Sequence, residues 1–398
     1  MNSRNDISRR DMATSAGVLA AGLLADGLFA ADAPALAVED KATSIKISAV
    51  STIPLGQKTL VKIQTNHGIV GWGEITRVPP KPACALVESM YELLDGENPT
   101  RVEHLWQKLF RAHRDFRGGG FMVHTIAAID MALWDITGKL HGVPVYRLLG
   151  GPTRDRIRVY PTPKALKTGP GRPFTWSGDL YEVKQLVARV EEARKRVGPD
   201  GSVMFDCHSM LPPPIMIQFA NAIEPYDVLW VEEVAVPGNL EVFKRIKQHC
   251  RVPVALGERD RTIWEVIGYL QNNCIDILQF DCGHDGGISQ MRKAAAMCES
   301  YHVPLAPHCT LASLGQSASF NAIASIPNFL IHEFYPNDLK GVCKPTWGTD
   351  KDFNYTLPQS PGIGCDIDEA LALQHSKETG YEFKWPHSSY PDGSVCDY

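Results

Sequence analysis

The pattern of apolar and polar positions divides the chain into two textures. From Ser44 to Thr76 the positions alternate. Ile45-Lys46-Ile47, Thr59-Leu60-Val61-Lys62-Ile63 and Ile69-Val70-Gly71-Trp72 predict strands, with a hairpin turn at Asn66-His67-Gly68. Helical spacing follows over Ala83–Leu94, Arg101–Phe110 and Thr125–His141, and the last presents Ile126, Ile129, Met131, Ala132, Trp134 and Ile136 as apolar positions. Residues 44–150 therefore predict an N-terminal α+β domain.

After Gly150-Gly151 short apolar strands alternate with amphipathic stretches, and each strand ends in a polar residue: Asp206, Glu232, Glu258, Asp281, His308 and Glu333. The intervals are 26, 26, 23, 27 and 25 residues, the length a βαβ repeat requires. Such regular spacing predicts a closed parallel (β/α)8 barrel of the TIM type, modified and capped by the first domain, over residues 151–345. Between Tyr160 and Asp206 the interval is too short for two full repeats, so Ala165-Leu166-Lys167 is expected to be the second strand, with the first barrel helix lost or shortened. Asp179–Val197 reads as one helix. Residues 346–398, rich in Pro and Gly, are expected to pack back on the capping domain.

Strand ends of a barrel converge on one face. Several carboxylates there repel one another and resist desolvation, which a divalent cation resolves. Asp206, Glu232 and Glu258 are the candidate ligands, and an all-oxygen set selects Mg²⁺, with Mn²⁺ as a substitute. Taken singly, each of the three reads more readily as a cap on the next helix, and it is their recurrence on consecutive strands that points to a metal. Asp281 beside His308 would fix the imidazole tautomer and make a general base. His208, two residues past Asp206, points the same way if the strand continues, and suits a proton donor. Glu333 is a candidate hydrogen-bond donor to an enolate oxygen, or a structural salt bridge.

The remaining features narrow the class. Arg9-Arg10 after Ser8, the apolar run Ala16–Ala30 and the small residues Ala35-Leu36-Ala37 predict a twin-arginine export signal in residues 1–40 and a periplasmic destination. The run is short for a membrane span and contains Asp26. A net charge of −5 gives no reason to expect nucleic-acid or membrane binding by the mature protein. The ten cysteines form no CxxC pair and read as buried free thiols. Arg117-Gly118-Gly119-Gly120 lacks the GK[ST] of a phosphate loop and reads as a flexible lead-in to a helix. A small-molecule substrate and a homo-oligomer are expected.

Ile69-Val70-Gly71-Trp72-Gly73-Glu74 resembles the capping domain of the enolase superfamily, mandelate racemase-like branch. Ile129–Lys139, Leu148-Leu149-Gly150-Gly151, Gly257-Glu258-Arg259 and His284-Asp285-Gly286-Gly287-Ile288 are further likenesses. Asp206-Cys207-His208, Ala306-Pro307-His308-Cys309 and Asp392-Gly393-Ser394-Val395 are most similar to the acid-sugar dehydratases, the D-galactonate dehydratases above all. Pro361-Gly362-Ile363-Gly364 also occurs in mannonate dehydratase-like relatives. The chain departs from the family at Val234 and Phe280, where proline is usual, and at Thr310-Leu311-Ala312-Ser313. The resemblance implies a carbon–oxygen lyase acting on an aldonate. Mg²⁺ on Asp206, Glu232 and Glu258, the Asp281–His308 dyad as C2 base and His208 assisting hydroxide departure would give a 2-keto-3-deoxy acid. A racemase or epimerase sharing the enediolate step is the alternative enzyme, and an exported sugar-acid binding protein without turnover is the alternative outside catalysis.

Overall fold

The computed structural model describes residues 44–171, 180–385, 387–389 and 393–396. The expected export signal lies outside the described residues, as do Asp179 and Asp392. Residues 44–398 form one compact unit.

The alternating segment builds an antiparallel sheet of β1 (Ile47–Leu55), β2 (Lys58–Thr65) and β3 (Val70–Thr76). Helices α1 (Pro80–Leu94), α2 (Val102–Ala112) and α3 (Gly120–His141) cover it. Their apolar faces share one core that includes Val61, Ile63, Ile75, Val87, Trp106 and Ile129. The tripeptide Gly71-Trp72-Gly73 is explained by helix approach. A Cβ at Gly71 would lie 2.1 Å from the Ala132 carbonyl oxygen, and one at Gly73 would lie 1.8 Å from that of Ala128. Only glycine lets α3 lie this close to β3.

The barrel strands are β4 (Val159–Tyr160), β5 (Ala165–Thr168), β6 (Ser202–Asp206), β7 (Trp230–Glu232), β8 (Val254–Leu256), β9 (Ile277–Leu278) and β10 (His332–Glu333). Parallel pairing runs from β5 through β9. Leu305 continues the wall by bridging Leu278 and Phe329, and β10 pairs with β4 to close it. Tyr160, Ala165, Met204, Trp230, Ala255, Ile277, Ala306 and Ile331, one from each staple of that wall, form an apolar layer inside. Only four residues, Pro161–Lys164, separate β4 from β5, so the first barrel helix is absent.

The expected strand ends need correction. β6, β7 and β10 do end on Asp206, Glu232 and Glu333. Glu258 and Asp281 lie beyond the ends of β8 and β9, and His308 follows an isolated bridge at Leu305. The barrel helices are α4 (Leu180–Val197), α5 (Pro213–Ala222), α6 (Leu240–His249), α7 (Ile263–Gln271), α8 (Gly287–Ser300) and α9 (Ser313–Ala324).

Buried polar contacts lock the cap onto the barrel. Glu74 on β3 accepts hydrogen bonds from the backbone nitrogens of Ala312 (2.8 Å) and Gly315 (3.1 Å), at the positive end of α9. Asp130 on α3 accepts from the Ser289 hydroxyl at 2.5 Å, and Trp106 donates to the Gly286 carbonyl at 2.8 Å. Asp135 joins Trp72 N and Ile363 N, each at 3.0 Å. The C-terminal helix α10 (Glu369–Thr379) meets the cap through a 2.7 Å Lys62–Glu369 pair. Cys207, Cys274, Cys282, Cys298, Cys309, Cys343 and Cys365 are buried free thiols. Among the described residues no helix is long and apolar enough to cross a membrane.

Gly73→Ala should destabilise the protein by about 3 kcal/mol, because the added carbon meets backbone rather than a movable side chain. Gly348→Ala meets nothing within 4 Å and should change stability by less than about 0.5 kcal/mol. Thermal denaturation of both variants checks this, and equal melting temperatures would refute the close-approach argument.

Candidate active site

The site grows from one buried cation. Lys167, near the end of β5, points its ammonium at three carboxylates: Glu333 Oε1 at 2.7 Å, Glu232 Oε1 at 2.9 Å and Asp206 Oδ2 at 3.3 Å. Strand register dictates this meeting, since Asp206 is the direct partner of Glu232 and β5 pairs alongside β6. Burial alone would lower the lysine pKa, but Glu232, Glu333 and Asp206 hold it well above the ordinary value. Asp206 is strongly depressed; burial opposes this, and Lys167 and His208 outweigh it. Burial and the charge of Asp206 push Glu232 up to about 7, even with Lys167 beside it. The cluster thus carries more negative charge than one ammonium balances.

His308 forms the second focus. Its Nδ1 lies 2.6 Å from Asp281 Oδ2, and its Nε2 lies 3.4 Å from Glu258 Oε2 and 3.8 Å from Glu333 Oε2. Asp281 also accepts from the backbone nitrogens of Gly283 at 2.6 Å and His284 at 3.1 Å. Burial opposes protonation of His308, but Glu258, Glu333 and the Asp281 hydrogen bond together raise its pKa to about 10. Glu333 bridges the two foci and also accepts from Cys309 N at 3.1 Å. Burial favours its protonated form, yet Lys167 and His308 hold its pKa below the usual carboxylate range. Glu333 is therefore an acceptor here, paired with Lys167 as the salt-bridge alternative expected.

His208 reaches the site through a turn, without continuation of the strand. β6 stops at Asp206, and His208 adopts a left-handed backbone with φ 44°. This turns the imidazole back, bringing Nε2 within 3.0 Å of Asp206 Oδ2 and leaving the side chain 47% exposed at the cavity mouth. The Asp206 hydrogen bond raises its pKa.

The structure thus brings all the candidates to one mouth, but not as the expected triad. Asp206 and Glu232 share Lys167, whereas Glu258 faces His308. Glu258 Oε2 is buried and accepts no hydrogen bond. A buried carboxylate oxygen that makes no hydrogen bond, beside an over-negative oxygen cluster, fits a hard divalent cation held by Asp206, Glu232 and Glu258. Asp281, His284 and His308 also place one ligand atom each within 4.8 Å of one another. That set is rich in nitrogen and suits a softer ion.

A cavity of about 350 Å³ opens over His308 and Glu258. His208, Glu258, Arg259, Arg261, His284 and His308 line it from the barrel, and Arg77, Val78, Gly120, Phe121 and His124 from the cap. His124 stacks on His284 with ring centroids 4.5 Å apart. Burial lowers the pKa of both, to about 4 for His124, so each is a neutral imidazole. Lys167 was legible by the strand-end rule, because Ala165-Leu166-Lys167 reads as a strand ending in a polar residue. Its side chain is neither a carboxylate nor an imidazole, the types that mark a metal ligand or a base. Nothing local marks His124, Arg77 or Arg261, since tertiary packing alone brings the cap to the barrel mouth.

Residues 34–150 match the mandelate racemase / muconate lactonizing enzyme N-terminal domain, and residues 156–371 match the enolase C-terminal domain-like family. The chain belongs to the enolase superfamily. A D-galactonate dehydratase of Ralstonia pickettii (strain 12J) is 34% identical over 384 residues, covering 89% of this chain and 100% of that protein. A D-galactonate dehydratase of Pectobacterium atrosepticum is 31% identical over 385 residues, with 89% and 100% covered. The crystal structure of a mandelate racemase/muconate lactonizing enzyme from Sulfitobacter sp. superposes with TM-score 0.78 at 30% identity, covering 83% of this chain and 96% of that one. The protein is accordingly an enzyme, a hydro-lyase of this superfamily, whose members use Mg²⁺.

Lys167→Met should leave three carboxylates facing one another and cost about 3 kcal/mol in chelator-treated protein. Added Mg²⁺ should then raise the melting temperature of the variant more than that of the parent. An unchanged melting temperature in chelator would show that Lys167 does not hold the cluster.

Proposed function

We propose that this enzyme dehydrates a sugar acid built on an aldonate framework, with a C1 carboxylate and hydroxyls at C2 and C3. The C2 proton is removed, the 3-hydroxyl departs, and the enol tautomerises to a 2-keto-3-deoxy acid. The observation that carries this reading is the 2.6 Å Asp281–His308 pair, whose imidazole lines the cavity together with Glu258. The D-galactonate dehydratase relatives support the sugar-acid class and this direction of chemistry.

Asp281 holds the Nδ1 proton of His308, so Nε2 is the atom that would accept the C2 proton once positive charge at the neighbouring carboxylates relieves the negative field that raises the imidazole to about 10. Lys167 sets its positive charge among the strand ends where the substrate carboxylate would lie, which favours the dianionic enediolate. A Mg²⁺ held by Asp206, Glu232 and Glu258 would supply further positive charge against that carboxylate. His208, kept protonated more readily by Asp206 and exposed at the mouth, donates to the departing hydroxyl. Epimerisation would need a base on the opposite face. Lys167 is poorly suited to that task, because three carboxylates keep it a cation.

His308→Ala should abolish exchange of the C2 proton in D₂O and lower turnover by about 10³-fold. Exchange that persists would remove His308 as the base. A semicarbazide-reactive keto acid from the parent enzyme separates dehydration from epimerisation. We also infer export to the periplasm from the pattern of residues 8–37. Residues 1–43 fused to a folded reporter should carry it out of the cytoplasm, and replacement of Arg9 and Arg10 by lysines should stop it.

A further inference from the structure

The cap side of the cavity carries positive charge that the reaction at C1, C2 and C3 does not use. Arg77 follows β3 in a left-handed conformation with φ 61°, a region costly for a non-glycine residue. Its side chain is exposed to the cavity. No hydrogen bond or ion pair engages it among the described residues. Arg261 faces the same space from the barrel and lies against the start of α3, its Nε 3.6 Å from where a Cβ on Gly120 would sit. It donates to the Glu258 carbonyl at 3.0 Å, and its one carboxylate neighbour, Asp285, is 3.5 Å away. Asp285 is also engaged by the backbone nitrogen of Asp281 at 2.7 Å.

The other groups of this wall leave the charge standing. Arg259 is held by Glu233 and the Ser209 hydroxyl. His124 and His284 are stacked on each other, with His284 Nδ1 3.2 Å from the Glu258 carbonyl. Glu258 faces His308. Arg77 and Arg261 thus both line a cavity in which Glu258 faces His308, and Arg77 also borders a neighbouring cavity with Lys58 and Lys384. A monocarboxylic sugar acid spends its single charge at C1 and offers these arginines only a hydroxyl. A chain with an anion at its far end satisfies both ends of the cavity, with a charge-assisted and potentially bidentate contact to guanidinium.

We propose that the substrate carries a second anionic group at the end remote from C1, received by Arg77 with Arg261 beside it. An aldaric acid or an aldonate phosphorylated on its terminal hydroxyl has this chemistry. The inference rests on the dehydratase reading for the orientation of the substrate, and its test is a binding preference that stands apart from turnover.

Calorimetric titration of the full enzyme in Mg²⁺ with matched sets of one sugar configuration decides it. Each set holds the aldonate, the aldarate and the terminal aldonate phosphate. In the best-bound configuration, one dianion should bind at least tenfold more tightly than its aldonate, and which dianion does so distinguishes carboxylate from phosphate. Arg77→Met should reduce that preference at least tenfold, and Arg77→Lys should keep part of it. Equal affinity across every set, or equal loss for both charge states in Arg77→Met, would overturn the proposal. The same compounds assayed for keto acid test the dehydratase reading separately. No keto acid from any of them would remove that reading, while the binding preference would still decide the role of Arg77.

Discussion

A buried ammonium among three buried carboxylates is the constraint on which this site depends. Isolated, any one of Asp206, Glu232 or Glu333 would take up a proton sooner than stay charged in so dry a place. Lys167 keeps Asp206 and Glu333 ionised, yet it does not neutralise the whole set, as the rise of Glu232 to about 7 shows. The residual negative charge raises His308 as well. A second cation at the carboxylates would relieve all of these groups together, which is why the charge balance of the cluster, more than the identity of any single ligand, ties the fold to hard-metal chemistry.

The rest of the molecule holds that cluster under a cap. Glycines at 71 and 73 let α3 lie on β3, and Glu74 on the same strand reaches across to the start of α9. The same segment continues to Arg77 at the cavity wall. Close helix packing, the joint between domains and the wall of the cavity are therefore set by seven consecutive residues. A change in how the cap seats would alter the shape of the cavity while leaving the barrel floor in place.

Much of this was legible because strand spacing is a strong signal. The recurrence of polar residues at near-constant intervals from Asp206 to Glu333 predicted both the barrel and the mouth where they meet. The absent helix after Tyr160 was visible as a shortage of residues. Other features were hidden for physical reasons. A strand end and the residue after it differ only in backbone dihedral, so the left-handed turn that folds His208 onto Asp206 left no mark in the pattern. The charge state of Glu333 depends on Lys167 and His308, which lie far from it in sequence. His124 and Arg77 come from the cap, and their place over the barrel follows from interdomain packing that no local periodicity encodes.

Anomalous diffraction from crystals grown with Mn²⁺ tests the central claim most directly. The account predicts a single strong peak among the oxygens of Asp206, Glu232 and Glu258, with the Lys167 ammonium moved away from the Asp206–Glu232 pair. A peak at Asp281, His284 and His308 instead, or none at either place with Lys167 still bound to its three carboxylates, would contradict it.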